Sequence, residues 1–61
     1  MTNLDDVYRD LKNTFDGLTS YYYSINDKNI KKKIRILKIR ILEILHKIEE
    51  MRDKLYIVNE K

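Results

Sequence analysis

The chain has no cysteine, proline, tryptophan or alanine, one glycine and one histidine. Without cysteine it stands outside the small secreted domains stapled by disulfides. Without a glycine-rich loop, and with serines only at Ser20 and Ser24 and no base in register with either, it offers no phosphate cradle and no nucleophile. No enzyme is expected and no cofactor is implied. The acidic start (Asp5, Asp6, Asp10) lacks the apolar segment of a signal peptide. The most apolar stretch, Ile34 to Ile48, is interrupted by Arg35, Lys38, Arg40, Glu43 and Lys47, which excludes a spanning helix. The cytoplasm is the expected location. Nine isoleucines, nine lysines, five asparagines and five tyrosines suit an AT-rich coding sequence, as in phages, viruses, plasmids and low-GC bacteria.

What is present is a pair of apolar stripes. Leu4, Tyr8, Leu11, Phe15, Leu18, Tyr22 and Ile25 follow one another by alternating steps of four and three. Ile30, Ile34, Leu37, Ile41, Ile44, Ile48, Met51, Leu55 and Val58 repeat that alternation. The step from Ile25 to Ile30 is five, which turns a continuous helix off its seam. The polar tetrapeptide Asn26-Asp27-Lys28-Asn29 fills that gap. An all-α helical hairpin follows, as one domain over residues 1–61: helix 1 over about 3–25, a turn at 26–29, helix 2 over about 29–59. Thr2 as N-cap with Asp5 three residues on resembles a capping box. Asn26, Asp27 and Asn29 are each suited to cap helix 2 or to adopt a left-handed conformation at the turn. Gly17 lies on an outward position, where it marks a tolerated surface glycine, a slight bend or the close approach of another helix.

Antiparallel pairing from the turn makes facing residue numbers add to about 55, so Leu18 meets Leu37, Leu11 meets Ile44, and Leu4 meets Met51. Leu55, Tyr56, Ile57 and Val58 then extend beyond helix 1. The tandem Lys33-Ile34-Arg35-Ile36-Leu37 and Lys38-Ile39-Arg40-Ile41-Leu42 adds a further apolar excess, because five residues rotate a helix by about 140°. Ile36, Ile39, Leu42 and Leu45 exceed the needs of a two-helix seam. These residues and the 55–58 tail fit either a wide oligomer core or a docking surface for another protein. A chain of 61 residues lies near the lower limit of independent folding, so a homo-oligomer is expected, most simply a dimeric four-helix bundle. In outline that arrangement resembles the plasmid RNA-binding regulator Rop. The likeness is one of topology, with no shared motif, and topology carries no function.

Charge divides the arms. Residues 1–27 hold two bases and five aspartates, a net of −3; residues 28–61 hold eleven bases and five acids, a net of +6. Lys28, Lys31, Lys32, Lys33, Arg35, Lys38 and Arg40 crowd an acid-free stretch at the start of helix 2, where the macrodipole disfavours cations. An anionic partner is the first candidate, and nucleic acid the leading one, with Tyr21 and Tyr23 placed to stack on bases. Tyr21-Tyr22-Tyr23 equally serves as a lid over the bundle end, with Tyr22 alone in the seam. The alternative class is a protein-interaction module, a viral, phage or plasmid inhibitor, adaptor or assembly factor, for which the basic run only steers encounters. A third reading lays the Lys/Ile-rich face of helix 2 on an anionic membrane surface, which requires the hairpin to open. Glu43 and His46 have the Glu-x-x-His spacing of di-metal bundles. They point away from the seam, so no metal site is expected.

Overall fold

Two helices, α1 (Leu4–Ser24) and α2 (Lys28–Asn59), pack antiparallel in a computed structural model that describes residues 3–59, with side chains as far as residue 55. The hairpin expected from the register break is therefore the fold. Thr2 and the side chains of Tyr56, Ile57 and Val58 lie outside the described residues.

Local chemistry sets the helix ends. Asn3, in an extended conformation, is the N-cap of α1, and its side chain accepts from the Asp6 amide at 2.9 Å. The cap thus falls one residue later than the Thr2–Asp5 box expected. Asp5 and Asp6 still place their charge on the positive end of the helix dipole. At the turn, the Asp27 carboxylate accepts from the amides of Asn29 at 2.9 Å and Ile30 at 3.1 Å, and its carbonyl accepts from Lys31. Of the three candidate caps, Asp27 does the work. Ile25 is extended, and no described residue has a positive φ, so a left-handed closure is not used.

The seam differs from expectation on one arm. The α1 stripe faces α2 as read from the sequence. On α2, Ile34, Leu45 and Ile48 are buried, whereas Leu37, Ile44 and Met51 stay about half exposed. Lys31, Lys38, Leu45 and Arg52 have taken the places assigned to Ile30, Leu37, Ile44 and Met51. The helix is rotated by about 50° from its heptad seam. The pairing register is nearly as expected: Tyr8 donates to Glu49 at 3.2 Å and Arg52 meets Asp5 at 3.0 Å. The apolar sector of α2, from Leu42 round to Met51, spans roughly half the helix circumference. One α1 cannot cover it. The side α1 covers is the one where long cationic stems lie along apolar surface and set their charges over aromatic rings. Leu45, expected on a partner surface, is therefore core, at 7% exposure.

Candidate functional site

The rotation of α2 builds a site at the turn end. Lys31 Nζ lies 4.9 Å from the centre of the Tyr22 ring. Lys38 Nζ lies 4.9 Å from the Phe15 ring centre and 5.9 Å from that of Tyr22. Each such contact is worth about 0.5–1 kcal/mol where water has access. Tyr23 stacks edge-on against Tyr22, with ring centres 5.2 Å apart and planes at 83°, and remains 77% exposed. Around Tyr22 stand Lys28, Lys31, Lys32 and Arg35, enclosing an open groove of about 220 Å³. Arg35 also borders a second hollow of about 250 Å³, lined further by Phe15, Lys38, Ile39 and Leu42.

The seven-base run is thus divided. Four of its members, Lys28, Lys31, Lys32 and Arg35, border the Tyr22 groove, and Lys38 borders the adjoining hollow with Arg35. Lys33 and Arg40 border a separate hollow of about 310 Å³ with Ile36 and Leu37, on another side of α2. Of the two tyrosines expected to stack, neither lines a hollow; Tyr23 adjoins the groove through its edge-on contact with Tyr22, and Tyr21 is half exposed without such a contact among the described residues. Tyr22 and Phe15, read from the sequence as seam residues alone, form its floor. Their stripe position hid that role, because a ring in a two-helix seam keeps one face open.

Among the described residues no acid forms an ion pair with the groove's bases. The ion pairs among the described residues are Arg9 with Asp6 and Asp10, Arg52 with Asp5, and His46 with Glu50, all outside residues 28–40. The far end is built differently. There Arg52 lies 5.5 Å from the Tyr8 ring centre while pairing with Asp5, and Tyr8 donates to Glu49. The Glu49 hydrogen bond, with partial desolvation and the carboxylate charge, holds the Tyr8 hydroxyl above its ordinary pKa. His46 sits in an exposed pair with Glu50 at 3.3 Å, and no group of three or more metal-ligating side chains forms among the described residues. No described helix is long and apolar enough to cross a membrane.

No known protein family, curated protein or solved structure matches this chain.

Proposed function

We propose that the chain is a non-enzymatic, homo-oligomeric helical protein, a dimeric four-helix bundle, that binds nucleic acid through the groove around Tyr22. One observation carries the reading: Lys28, Lys31, Lys32 and Arg35 surround an aromatic floor with no acid paired to any of them among the described residues. Four unpaired cations in so small a volume repel one another, and a phosphate backbone relieves that repulsion while releasing its counterions. Tyr23, exposed beside the groove, supplies a face for an unpaired base. A single strand suits this mixture better than a duplex, whose stacked bases cannot reach a ring. Recognition rests on charge and stacking, without a sequence-reading element.

The test is fluorescence anisotropy with labelled single-stranded RNA and DNA over a salt series. Affinity falls with salt at a log–log slope of about −0.7 per phosphate neutralised, so four contacts give roughly −3. Tyr23→Ala weakens single-strand binding by about 1–3 kcal/mol and leaves duplex binding nearly unchanged. Absence of binding to either nucleic acid at low salt rejects the reading.

A protein-interaction module is the second reading, favoured by the exposure of Ile36, Ile39 and Leu42 on α2. In that case nucleic acid does not bind and substitutions at these three positions abolish capture of the protein partner.

A further inference from the structure

The side of α2 turned away from the groove carries a second apolar stripe. Ile30, Leu37, Ile44 and Met51 recur every seven residues and are 38–52% exposed. Beside them Lys33, Arg40, Lys47 and Lys54 recur at the same interval, exposed and in no ion pair among the described residues. Asp10, Thr14, Gly17 and Tyr21, also exposed, form the matching edge of α1 on that side. A Cβ built at Gly17 meets nothing within 4 Å, so this edge is low and open.

Surface area points to a second copy as the occupant, and charge then selects its orientation. The hairpin measures 52 × 20 × 14 Å and exposes 5362 Å². A compact protein of this size exposes about 4,200 Å². The excess of roughly 1,100 Å² surpasses the ~800 Å² that each partner buries in an ordinary stable interface. Charge selects the orientation. If the two-fold axis crosses the helices, α2 lies on α2 and the rows of bases oppose each other. If the axis runs along the helices, each α2 lies on the other copy's α1. The Tyr8–Glu49 and Asp5–Arg52 contacts set the levels of the two helices, and on that scale Lys47 comes level with Asp10 and Arg40 with the open edge at Gly17.

We infer that the protein pairs through the Ile30–Leu37–Ile44–Met51 stripe, each α2 seated on α1 of a second copy, with both turns at one end of the bundle. The inference rests on the oligomer reading above and assigns its interface. Both Tyr22 grooves then lie at that shared end, on opposite outer faces, and a single strand passing over the end can engage both.

A spin label at Asn26→Cys, in the exposed turn, tests this without nucleic acid, so its failure is separate from any failure to bind. Neighbouring helices in a bundle lie about 8–10 Å apart, and the labels are therefore expected within about 30 Å of each other. A distance near the 52 Å length of the hairpin places the turns at opposite ends and overturns the arrangement. A chain that stays monomeric at 100 µM on the order-of-magnitude scale of ordinary dimers overturns the second copy as occupant. Ile44→Asp is expected to weaken dimerisation at least tenfold, and Ile39→Asp, at the groove side, to leave it within twofold. Equal loss from both variants also contradicts the assignment.

Discussion

The two ends of the hairpin solve the same packing problem with opposite charge logic. At the open end Arg52 covers the Tyr8 ring and its charge is met by Asp5, while the Tyr8 hydroxyl is met by Glu49. At the turn end Lys31 and Lys38 cover Tyr22 and Phe15 with the same cation-over-ring geometry, and among the described residues no carboxylate pairs with them. One end is closed electrostatically within the chain. The other is not closed this way among the described residues. Structural need alone does not call for the difference, since a ring is covered equally well by an apolar stem. The unpaired cations are thus a property of the turn end that the fold itself does not consume.

Both ends hang on the same middle, and breaking it gives the largest effect. Leu45→Asp places an unpartnered carboxylate at a site only 7% exposed and costs about 3 kcal/mol or more, enough to abolish helicity in so thin a fold. Leu37→Asp, on the half-exposed flank, leaves the intramolecular seam intact. Its damage appears in self-association, with helicity recovering at high concentration. Circular dichroism across a hundredfold concentration range separates the two. Equal, concentration-independent unfolding would mean that α2 sits on its heptad seam after all.

A direct contrast of the ends has a smaller effect. Arg52→Leu leaves Asp5 without its partner and removes the cation from the Tyr8 ring, and it destabilises by about 1 kcal/mol. Lys38→Leu keeps an apolar stem over Phe15 and relieves repulsion among the turn-end bases, which offsets most of the loss of its cation–ring contacts at about 0.5–1 kcal/mol each, so it destabilises by clearly less than Arg52→Leu. Urea titration of both variants reads the difference. Destabilisation by Lys38→Leu as large as that by Arg52→Leu would erase the distinction between the ends.

The smallest effect is a pH dependence confined to the open end. The Tyr8 pKa is raised in the folded chain, so the neutral hydroxyl is the form that folding favours. Its contribution is fully present below the ordinary tyrosine value of about 10 and is lost as pH rises through the higher folded value. Tyr8→Phe removes this component. Between pH 9 and 11 the wild-type melting temperature should fall more steeply than that of Tyr8→Phe, and parallel curves would show that the Glu49 hydrogen bond contributes nothing.

Much of this was legible in the residues. The five-residue step from Ile25 to Ile30 located the turn, and the α1 stripe identified the face that packs. Counting outward from the turn gave a register that the Tyr8–Glu49 and Asp5–Arg52 contacts match within two residues. The rotation of α2 was not legible, for a physical reason. A heptad count treats Ile30, Leu37, Ile44 and Met51 as obligatory seam and Lys31, Lys38 and Arg52 as solvent-facing. A lysine stem over a tyrosine ring nonetheless buries apolar surface, and hydropathy does not record it. The groove followed from that rotation, so its floor at Tyr22 and Phe15 was hidden as well. Asp27 could not be singled out from Asn26 and Asn29, because all three are good caps by type and only the turn geometry separates them.

The most direct test compares two equal charge removals at different places. Lys28 and Lys32 replaced together by Gln take two cations from the groove rim; Lys12 and Lys54 replaced together by Gln take two exposed cations from elsewhere. Binding of a labelled single strand is then measured over a salt series for both variants and the wild type. The groove account predicts that the Lys28/Lys32 variant flattens the log–log salt slope by about 1.4 units, from roughly 0.7 per lost phosphate contact, and that the Lys12/Lys54 variant leaves it within about 0.3 of wild type. Equal flattening by the two variants would show that net charge, and not the turn-end groove, holds the strand.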